Sequence, residues 1–454
     1  MFKSTHIIDI VGITNKKTTS LSLLLLLIVA LNLNATTEAN TNKLATKSPT
    51  TSDFTRTQHF IFTPGNARKT NQISGDTIYT DERGYGFDLG TQMGSEPHPF
   101  YFSVQVPEGN YAVELELGSH KHPTSTTVKA ESRRLYLENV KADKGEFVKT
   151  RFIVNIRTPQ LQPPEKNAPG GTMVELKERE KNQLHWDNKL TLEFTGSSPA
   201  LRSLRIRQVS VPSLYLVGDS TVTDQPFEPA ASWGQMLPRF FTDGIAIANH
   251  AESGETMKSF IASLRFAKVL ESMKAGDFLL IQFGHNDQKK QWPQTYVEAD
   301  TTYKDYLRVF IAEARLRGAT PILITSVQRR TFDALGKMTN SHGRYPQAVR
   351  EVAQEKNVAL IDLDAMSTQL YEALGMEKAP LAFNDNGKDA THHNNYGAYQ
   401  LAQCVAQGIR NSGLPLAKYL RDDFITYDPA HPSDPSAFML SPSLNTSTSR
   451  PDGN

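Results

Sequence analysis

A serine in a glycine-containing turn is the first residue whose setting suggests covalent chemistry. Gly218, Asp219 and Ser220 directly follow an apolar run at 214–217, so the serine hydroxyl would stand at the end of a buried strand. Serine is a weak nucleophile at neutral pH and needs a general base that a third group holds in place. Because the same triplet is typical of an ordinary turn with a helix-capping serine, it predicts a nucleophile only together with such partners.

A base and an orienting acid occur together near the start of the last predicted helix. Asp389 precedes His392 by three residues, which can place both side chains on one short turn. The carboxylate can then hold one imidazole nitrogen while the other nitrogen faces the serine hydroxyl. This spacing favours His392 over the adjacent His393. A lone Asp-x-x-His pair is usually structural, so its meaning also depends on the combination with the serine.

Two further segments offer hydrogen-bond donors for a carbonyl that becomes an oxyanion. Gly254, within 249–256, lets a backbone N–H approach a substrate closely, and Asn286, within 284–287, offers a side-chain amide. Donors that are already aimed at the developing charge are each often worth about 2.7–4 kcal/mol. Taken singly, the first segment is also typical of a helix N-terminus and the second of an Asn-Asp turn.

The elements that must position these residues form a repeating pattern in the second half of the chain. Strand-like runs start about 30 to 45 residues apart with helical stretches between them, which predicts βαβ units with right-handed crossovers. The clearest helix is predicted over 256–274, with Phe260, Leu264, Ala267 and Leu270 near one face. The pattern predicts a parallel sheet with helices on both faces, whose ligands bind beyond the carboxyl ends of the strands. The predicted strands are 214–217, 245–248, 278–283, 322–325 and 358–361.

The first half of the chain has a different pattern. Short apolar runs broken by turn residues predict an antiparallel β-sandwich domain at 57–211, before the α/β domain at 212–420. Within residues 1–39, Lys16 and Lys17 precede an apolar run that small residues follow, which is typical of a signal peptide, with a membrane anchor as the alternative. The sequence further indicates a disordered linker at 40–56 and an irregular C-terminal arm at 421–454.

The charge balance and the cysteine count argue against several classes of protein. The 49 basic and 48 acidic residues show no global bias of the kind that nucleic-acid binding needs, so no nucleic-acid partner is expected. The single cysteine, Cys404, excludes an intramolecular disulfide, and no Cys or His spacing resembles a zinc site. We therefore expect no cofactor and no metal. The predicted signal peptide favours a secreted or periplasmic bacterial protein without stable membrane insertion.

In combination, the four segments resemble the SGNH hydrolases, also called GDSL-type hydrolases. The resemblance covers about 212–413 and rests on GDST at 218–221, NHAESG at 249–254, GHND at 284–287 and DATH at 389–392. Longer segments, VGDSTVTDQ, SWGQML, IQFGHNDQ and THHNNYGAYQLA, are similar to bacterial rhamnogalacturonan acetylesterases. The β-rich N-terminal region is similar, through far less specific motifs, to the galactose-binding-like module often placed before such domains.

The resemblance implies a fold class and a role for each residue singled out above. The fold would be α/β, a three-layer α/β/α hydrolase domain preceded by the antiparallel β-sandwich. Ser220 would be the nucleophile, His392 the general base and then the general acid, and Asp389 the residue that orients His392. The oxyanion hole would comprise the backbone N–H groups of Ser220 and Gly254 and the side chain of Asn286.

The implied function is that of a secreted carbohydrate O-acetylesterase acting on an acetylated polysaccharide or oligosaccharide, in particular pectic rhamnogalacturonan. Trp233 and Trp292 are candidates to stack on sugar rings, and Arg329 and Arg330 to meet uronate carboxylates, with core packing and structural ion pairs as the alternatives. The same catalytic residues also serve lipases, thioesterases and acetylxylan esterases, which stay open as alternatives. A non-catalytic glycan-binding protein is disfavoured because all four segments are intact.

Overall fold

The computed structural model of the protein describes residues 57–62, 72–94, 96–449 and 451. The predicted signal peptide and linker lie outside the described residues. Within the part of the chain that the structure describes, no helix has both the length and the apolar character needed to cross a bilayer.

The first half of the chain forms two β layers that face each other across an apolar core. One layer has the strand order β2-β1-β10-β5-β8 and the other β3-β4-β9-β6-β7, and the neighbours are antiparallel except for the β1–β2 pair. Alternate residues of β5, from Tyr111 to Leu117, join the core between the layers, as the two-residue period of a strand requires. The predicted antiparallel sandwich is therefore confirmed. The strands are β1 (Gln58–Phe62), β2 (Gln72–Ile73), β3 (Tyr85–Asp88), β4 (Phe100–Gln105), β5 (Gly109–Leu117), β6 (Thr124–Ala130), β7 (Arg134–Ala142), β8 (Val148–Ile156), β9 (Lys189–Ser198) and β10 (Leu201–Gln208).

The second half contains five parallel strands in the order β15-β14-β13-β11-β12. Successive side chains of β11 enter different apolar clusters: Leu214 and Leu216 pack into one, and Tyr215 and Val217 into the other. Both faces of the sheet are thus covered, which is typical of a parallel sheet between two helical layers and confirms the predicted α/β/α architecture. The strands are β11 (Ser213–Gly218), β12 (Ala246–Asn249), β13 (Phe278–Gln282), β14 (Thr320–Ile324) and β15 (Ala359–Ile361).

The helices of this half fill the two outer layers. The first apolar cluster includes residues of α1, α6 and α7, and the second includes residues of α2 to α5. The α-helices are α1 (Trp233–Met236), α2 (Met257–Ala262), α3 (Arg265–Ser272), α4 (Lys304–Leu316), α5 (Tyr345–Lys356), α6 (Leu363–Lys378) and α7 (Asn395–Asn411).

The prediction of a single helix over 256–274 is wrong, because this segment forms two helices, α2 and α3. Leu264 takes a left-handed conformation, with φ of 62°, and begins a new helix axis. The break frees the Ser263 carbonyl, which accepts a hydrogen bond from the Glu175 N–H at 3.0 Å. As a result the predicted apolar face shifts after the break, and Phe266 and Val269 are buried there instead of Ala267 and Leu270.

The two halves share one continuous sheet. Strand β8 pairs in parallel with β12 through Val154 and Ile247, so the first β layer extends into the parallel sheet to give ten strands. A buried ion pair between Arg134 and Asp224, 2.6 Å long, also joins the halves. The domain boundary at 211/212 stays a prediction, and the backbone crosses it without interrupting this sheet.

The C-terminal segment returns to the β-rich half. Ser443 Oγ and the Leu444 N–H both donate to Glu193 Oε1, at 2.5 and 2.7 Å. The Glu228 N–H donates to the Asn445 carbonyl oxygen at 2.9 Å. The end of the chain therefore packs against both halves near the turn that follows β11.

Candidate active site

The candidate residues follow three adjacent strands at their carboxyl ends. Ser220 follows β11, which lies between β12 and β13, and these two strands precede Gly254 and Asn286. In a doubly wound sheet of this order, the crevice beyond the strand ends at the reversal of strand order is where ligands bind. The topology thus brings a nucleophile and two potential donors to one edge of the sheet.

Ser220, His392 and Asp389 form a continuous chain of hydrogen bonds. The Ser220 hydroxyl lies 2.9 Å from His392 Nε2, and His392 Nδ1 lies 2.9 Å from Asp389 Oδ2. An ionised carboxylate only accepts, so His392 Nδ1 carries the proton and donates it to Asp389. His392 Nε2 is then left as the acceptor for the serine hydroxyl, which is the tautomer that a general base requires.

The turn at 389–392 holds its own geometry. The other carboxylate oxygen of Asp389 accepts hydrogen bonds from the Thr391 and His392 N–H groups, at 2.8 and 3.0 Å. Burial alone would raise the pKa of Asp389, but the hydrogen bonds from His392 and from these backbone groups hold it well below its ordinary value. Asp389 therefore stays ionised across the neutral range and can stabilise a protonated His392.

The adjacent His393 has a different environment. Its Nε2 lies 2.6 Å from the Tyr371 hydroxyl, and its backbone bridges to Ala231 and Phe383. Burial lowers the pKa of His393 to about 3, so it stays neutral. His392 is thus the histidine placed against Ser220, as the Asp-x-x-His spacing predicts.

The residues predicted for the oxyanion hole lie on the neighbouring loops. Asn286 is fully buried, and its Nδ2 donates to the Glu255 carbonyl oxygen at 3.0 Å, which ties it to the loop at 252–255. Gly254 has φ of +80°, a conformation that favours glycine. Among the described residues, none accepts a hydrogen bond from the backbone N–H of Ser220 or of Gly254. Both donors are therefore available to a substrate oxygen.

Two contacts that the sequence reasoning missed support the nucleophile turn. Gln225 Nε2 donates to the Ser220 carbonyl oxygen at 2.7 Å. Asp219 accepts from Thr221 through one oxygen and lies 3.2 Å from His285 Nδ1 through the other. Burial would raise the pKa of Asp219, but His285 and Thr221 lower it. Both Asp219 and Gln225 stand in the segment VGDSTVTDQ, so the signal was present, but its residues had no assigned role.

The prediction that Trp233 stacks on a sugar ring is wrong. Its side chain is only 1% exposed, it packs in the core beside α7, and its Nε1 donates to Gln282 Oε1 at 2.7 Å. Trp233 stands just after the N-cap Ser232 of α1, and this short helix directs it into the protein interior. The aromatic ring therefore packs against β13 inside the protein, where it is not accessible to a sugar ring.

The other three predicted substrate contacts lie nearer the surface. Trp292 is half-buried, with Lys289 Nζ at 4.1 Å from its ring centre. Arg329 donates to Thr391 Oγ1 and, at 3.3 Å, to the His285 carbonyl oxygen. Arg330 donates to the Gly387 carbonyl oxygen and, at 3.5 Å, to that of Asp389. The two arginines thus hold the turn that carries the catalytic acid and base candidates, and their role toward substrate stays a prediction.

One group of potential metal ligands is already engaged in ion pairing. Among the described residues, Glu180, His185 and Glu252 bring one ligand atom each within 4.8 Å of the others. Both oxygens of Glu180, however, accept from Arg265, at 3.0 and 2.5 Å. A divalent cation at this place would have to displace a buried arginine, so the donor set fits an ion pair and not a metal.

Comparison with known proteins places this site in a family. The profile of the family described as GDSL-like Lipase/Acylhydrolase matches residues 216–400. Together with a relative 40% identical over nearly its whole length, this match shows that the chain belongs to that family, and it is an ester hydrolase. The resemblance to GDSL-type hydrolases is thereby confirmed.

Three named proteins are similar to this chain. Rhamnogalacturonan acetylesterase RhgT of Bacillus subtilis is 40% identical over 220 residues, which cover 46% of this chain and 93% of RhgT. The probable rhamnogalacturonan acetylesterase YesY of the same organism is 38% identical over 208 residues, 45% of this chain and 95% of YesY. A crystal structure of B. subtilis YxiM is similar over 79% of this chain and 99% of that one, at 22% identity and a TM-score of 0.45.

Proposed function

We propose that this esterase removes O-acetyl groups from a polysaccharide, with pectic rhamnogalacturonan as the substrate, and that Ser220 is its nucleophile. The observation that carries the proposal is the hydrogen-bonded chain from Ser220 through His392 to Asp389 at the carboxyl ends of the strands. The names of the two B. subtilis relatives, a rhamnogalacturonan acetylesterase and a probable one, support the choice of substrate.

The reaction takes place in two acyl-transfer steps. Ser220 Oγ attacks the acetyl carbonyl carbon while His392 Nε2 takes the hydroxyl proton, and the carbonyl oxygen becomes an oxyanion. The Ser220 and Gly254 N–H groups and the Asn286 amide donate to that oxyanion. The carbon–oxygen bond to the sugar then breaks, and protonated His392 gives its proton to the sugar oxygen, leaving acetyl-Ser220.

The second step restores the enzyme. A water molecule attacks the acetyl-serine carbonyl while His392 Nε2 accepts its proton. The tetrahedral intermediate collapses, the bond to Ser220 Oγ breaks, and His392 returns the proton to that oxygen. Acetate leaves, and Asp389 stabilises the protonated histidine in both steps.

A surface cavity next to the nucleophile turn provides room for the sugar chain. It is lined by Gln225 and Ser253, and Gln225 also contacts the Ser220 backbone. Phe227, 47% exposed, lies on the same cavity and offers a ring face of the kind that stacks on apolar sugar faces. Residues of the C-terminal arm, including Ser447, complete the wall.

The test is acetate release from a panel of substrates by the purified wild-type enzyme and by Ser220→Ala. We expect release from acetylated rhamnogalacturonan to exceed release from acetylated xylan, and none above background with Ser220→Ala. Greater release from xylan would replace the proposed substrate with xylan. Faster cleavage of an aryl decanoate than of an aryl acetate would replace the acetylesterase with a lipase.

We also propose that the enzyme works outside the cytoplasm after removal of residues 1–39. The support is the basic, apolar and small-residue order of that segment in the sequence. In a bacterial expression host, the mature N-terminus is expected in the periplasmic or medium fraction, close to residue 40. Mass spectrometry of the fractionated protein would contradict this if the full-length chain stayed in the cytoplasm.

A further inference from the structure

A carbonyl group in the loop at 252–255 is held by two cations from the β-rich half of the chain. Lys177 Nζ donates to the Ser253 carbonyl oxygen, and Arg179 Nη2 donates to the same oxygen at 2.8 Å. Lys177 Nζ also lies beside Gly254, 3.7 Å from the position that a Cβ would occupy there. The two side chains therefore contact the peptide unit that joins Ser253 to Gly254.

This peptide unit carries the Gly254 N–H at its other end. In a trans peptide the C=O and N–H groups lie in one plane and point in opposite directions. A pair of donors that fixes the Ser253 carbonyl oxygen consequently fixes the direction of the Gly254 N–H. Glycine populates left- and right-handed conformations about equally, so Gly254 itself leaves the peptide plane free to turn.

The two cations are anchored by acids that flank the same peptide unit. Arg179 Nη2 lies 2.6 Å from Glu252 Oε1, and Lys177 Nζ lies 2.6 Å from Glu255 Oε1. The side chains of Glu252 and Glu255 are only 4% and 3% exposed, whereas those of Lys177 and Arg179 are 31% and 35% exposed. Partly desolvated pairs of this kind are screened less than surface pairs.

The segment that carries the cations is itself fixed to the α/β half. Glu180 accepts from the Lys177 N–H at 2.9 Å and from the Arg265 guanidinium through both oxygens. Arg265 is the first residue of α3, and its side chain is 1% exposed. The cations thus come from a short turn that α3 holds rigidly against the loop.

We propose that Lys177 and Arg179 are positioning residues for the oxyanion hole: they hold the Ser253–Gly254 peptide so that its N–H points at the substrate oxyanion. The proposal rests on the proposed function, in which Gly254 N–H is one of the donors. Cations on the carbonyl oxygen also polarise the peptide and make its N–H a stronger donor. The β-rich half therefore completes the active site without contacting the substrate carbonyl.

The test uses the full chain with Lys177→Met, Arg179→Met and the double variant, assayed on an aryl acetate. We expect the double variant to lose about 10- to 100-fold in kcat with KM nearly unchanged, since loss of a whole donor costs ~10²–10³. Lys177→Arg and Arg179→Lys should restore most of the rate. Lys181→Met is the matched control, because Lys181 lies in the same segment and, among the described residues, its ion pair is with the exposed Glu178.

Inhibition by phenylboronic acid separates positioning from a structural role. The boronic acid forms a tetrahedral adduct on the serine hydroxyl, and its oxygen takes the place of the oxyanion. We expect its inhibition constant to rise by the same factor as kcat falls, with the Tm of the conservative variants unchanged. An unchanged kcat in the double variant, or a lower kcat with unchanged boronic acid inhibition, would overturn the proposal.

Ser220→Ala, assayed in parallel, distinguishes this failure from failure of the proposed function. An active Ser220→Ala enzyme overturns the serine mechanism, and the positioning role falls with it. An active wild type, an inactive Ser220→Ala and an unchanged double variant overturn the positioning role alone.

Discussion

The two sides of the active site are supported from different parts of the chain. The proposed catalytic triad of Ser220, His392 and Asp389 lies in the α/β half, and the turn of Asp389 is held by Arg329 and Arg330 from the same half. The loop at 252–255 also belongs to the α/β half, but its Ser253 carbonyl is held by cations of the β-rich half.

The active site and the predicted domains therefore have different boundaries. The sandwich contributes to the site through two groups of residues: the turn at 177–180 beside the oxyanion loop, and Arg133 and Arg134 beneath the nucleophile turn. Arg133 donates to the Gln225 carbonyl oxygen at 3.0 Å, and Arg134 pairs with Asp224. We therefore expect the sandwich to affect catalysis even on a small substrate that cannot bind it.

The largest effect on kcat is expected from a change in the proposed catalytic triad. Asp389→Asn should lower kcat about 10⁴-fold, because an amide leaves His392 in the wrong tautomer and cannot stabilise its protonated form. The measurement is kcat on an aryl acetate, with Tm as a check of folding. The matched control is His393→Gln, which changes the adjacent histidine and should keep kcat within about tenfold of the wild type, since losing a buried hydrogen bond costs stability, about 1–3 kcal/mol. Equal losses in the two variants would contradict the assignment of His392.

A smaller effect on kcat is expected from a change in the proposed oxyanion hole. Asn286→Ala should lower kcat about 10²–10³-fold with Ser220 still reactive, because it removes one donor. The expected change in KM is small, since this donor acts mainly on the charge that develops in the transition state. A loss as large as that of Asp389→Asn, or a purely KM effect, would show that Asn286 has another role.

The strands of the parallel sheet and the residues Ser220, His392 and Asp389 could be predicted from the sequence because the patterns that mark them are local. A strand–turn boundary places Ser220, and a three-residue spacing places Asp389 beside His392. The five parallel strands were found within about two residues of their observed bounds, since apolar runs between turn residues mark buried strands well.

Contacts between distant segments were not accessible in the same way. Lys177 and Arg179 lie more than seventy residues before the loop they contact, and their segment reads as an ordinary charged surface turn. The break at Leu264 was missed because the carbonyl that it frees, that of Ser263, binds the N–H of a residue far away in the sequence, Glu175. The sugar-stacking role predicted for Trp233 was wrong because its position in the sequence, shortly after Ser220, does not show in which direction the side chain points.

The smallest effect on the reaction is expected at the ion pair between Arg134 and Asp224, which joins the halves and supports the nucleophile turn without a hydrogen bond to Ser220 itself. Arg134→Met leaves the buried Asp224 carboxylate without its ion-pair partner and with the hydrogen bond from Asn249, so the free energy of unfolding should fall by about 3–5 kcal/mol. Urea denaturation measures this loss, and kcat at a temperature where the variant is folded should change less than tenfold. Arg151→Met is the control: Arg151 pairs with Asp243 but is 36% exposed, so about 0–1 kcal/mol is expected.

The assignment of Ser220 as the nucleophile is tested most directly by covalent labelling with a serine-directed organophosphorus reagent and peptide mass spectrometry. We expect one label per chain on the peptide that contains Ser220, with acetate release falling in proportion to labelling. Ser220→Ala should take no label and release no acetate while remaining folded. A label on another residue with loss of activity, or wild-type acetate release by Ser220→Ala, would contradict the assignment of Ser220 as the nucleophile.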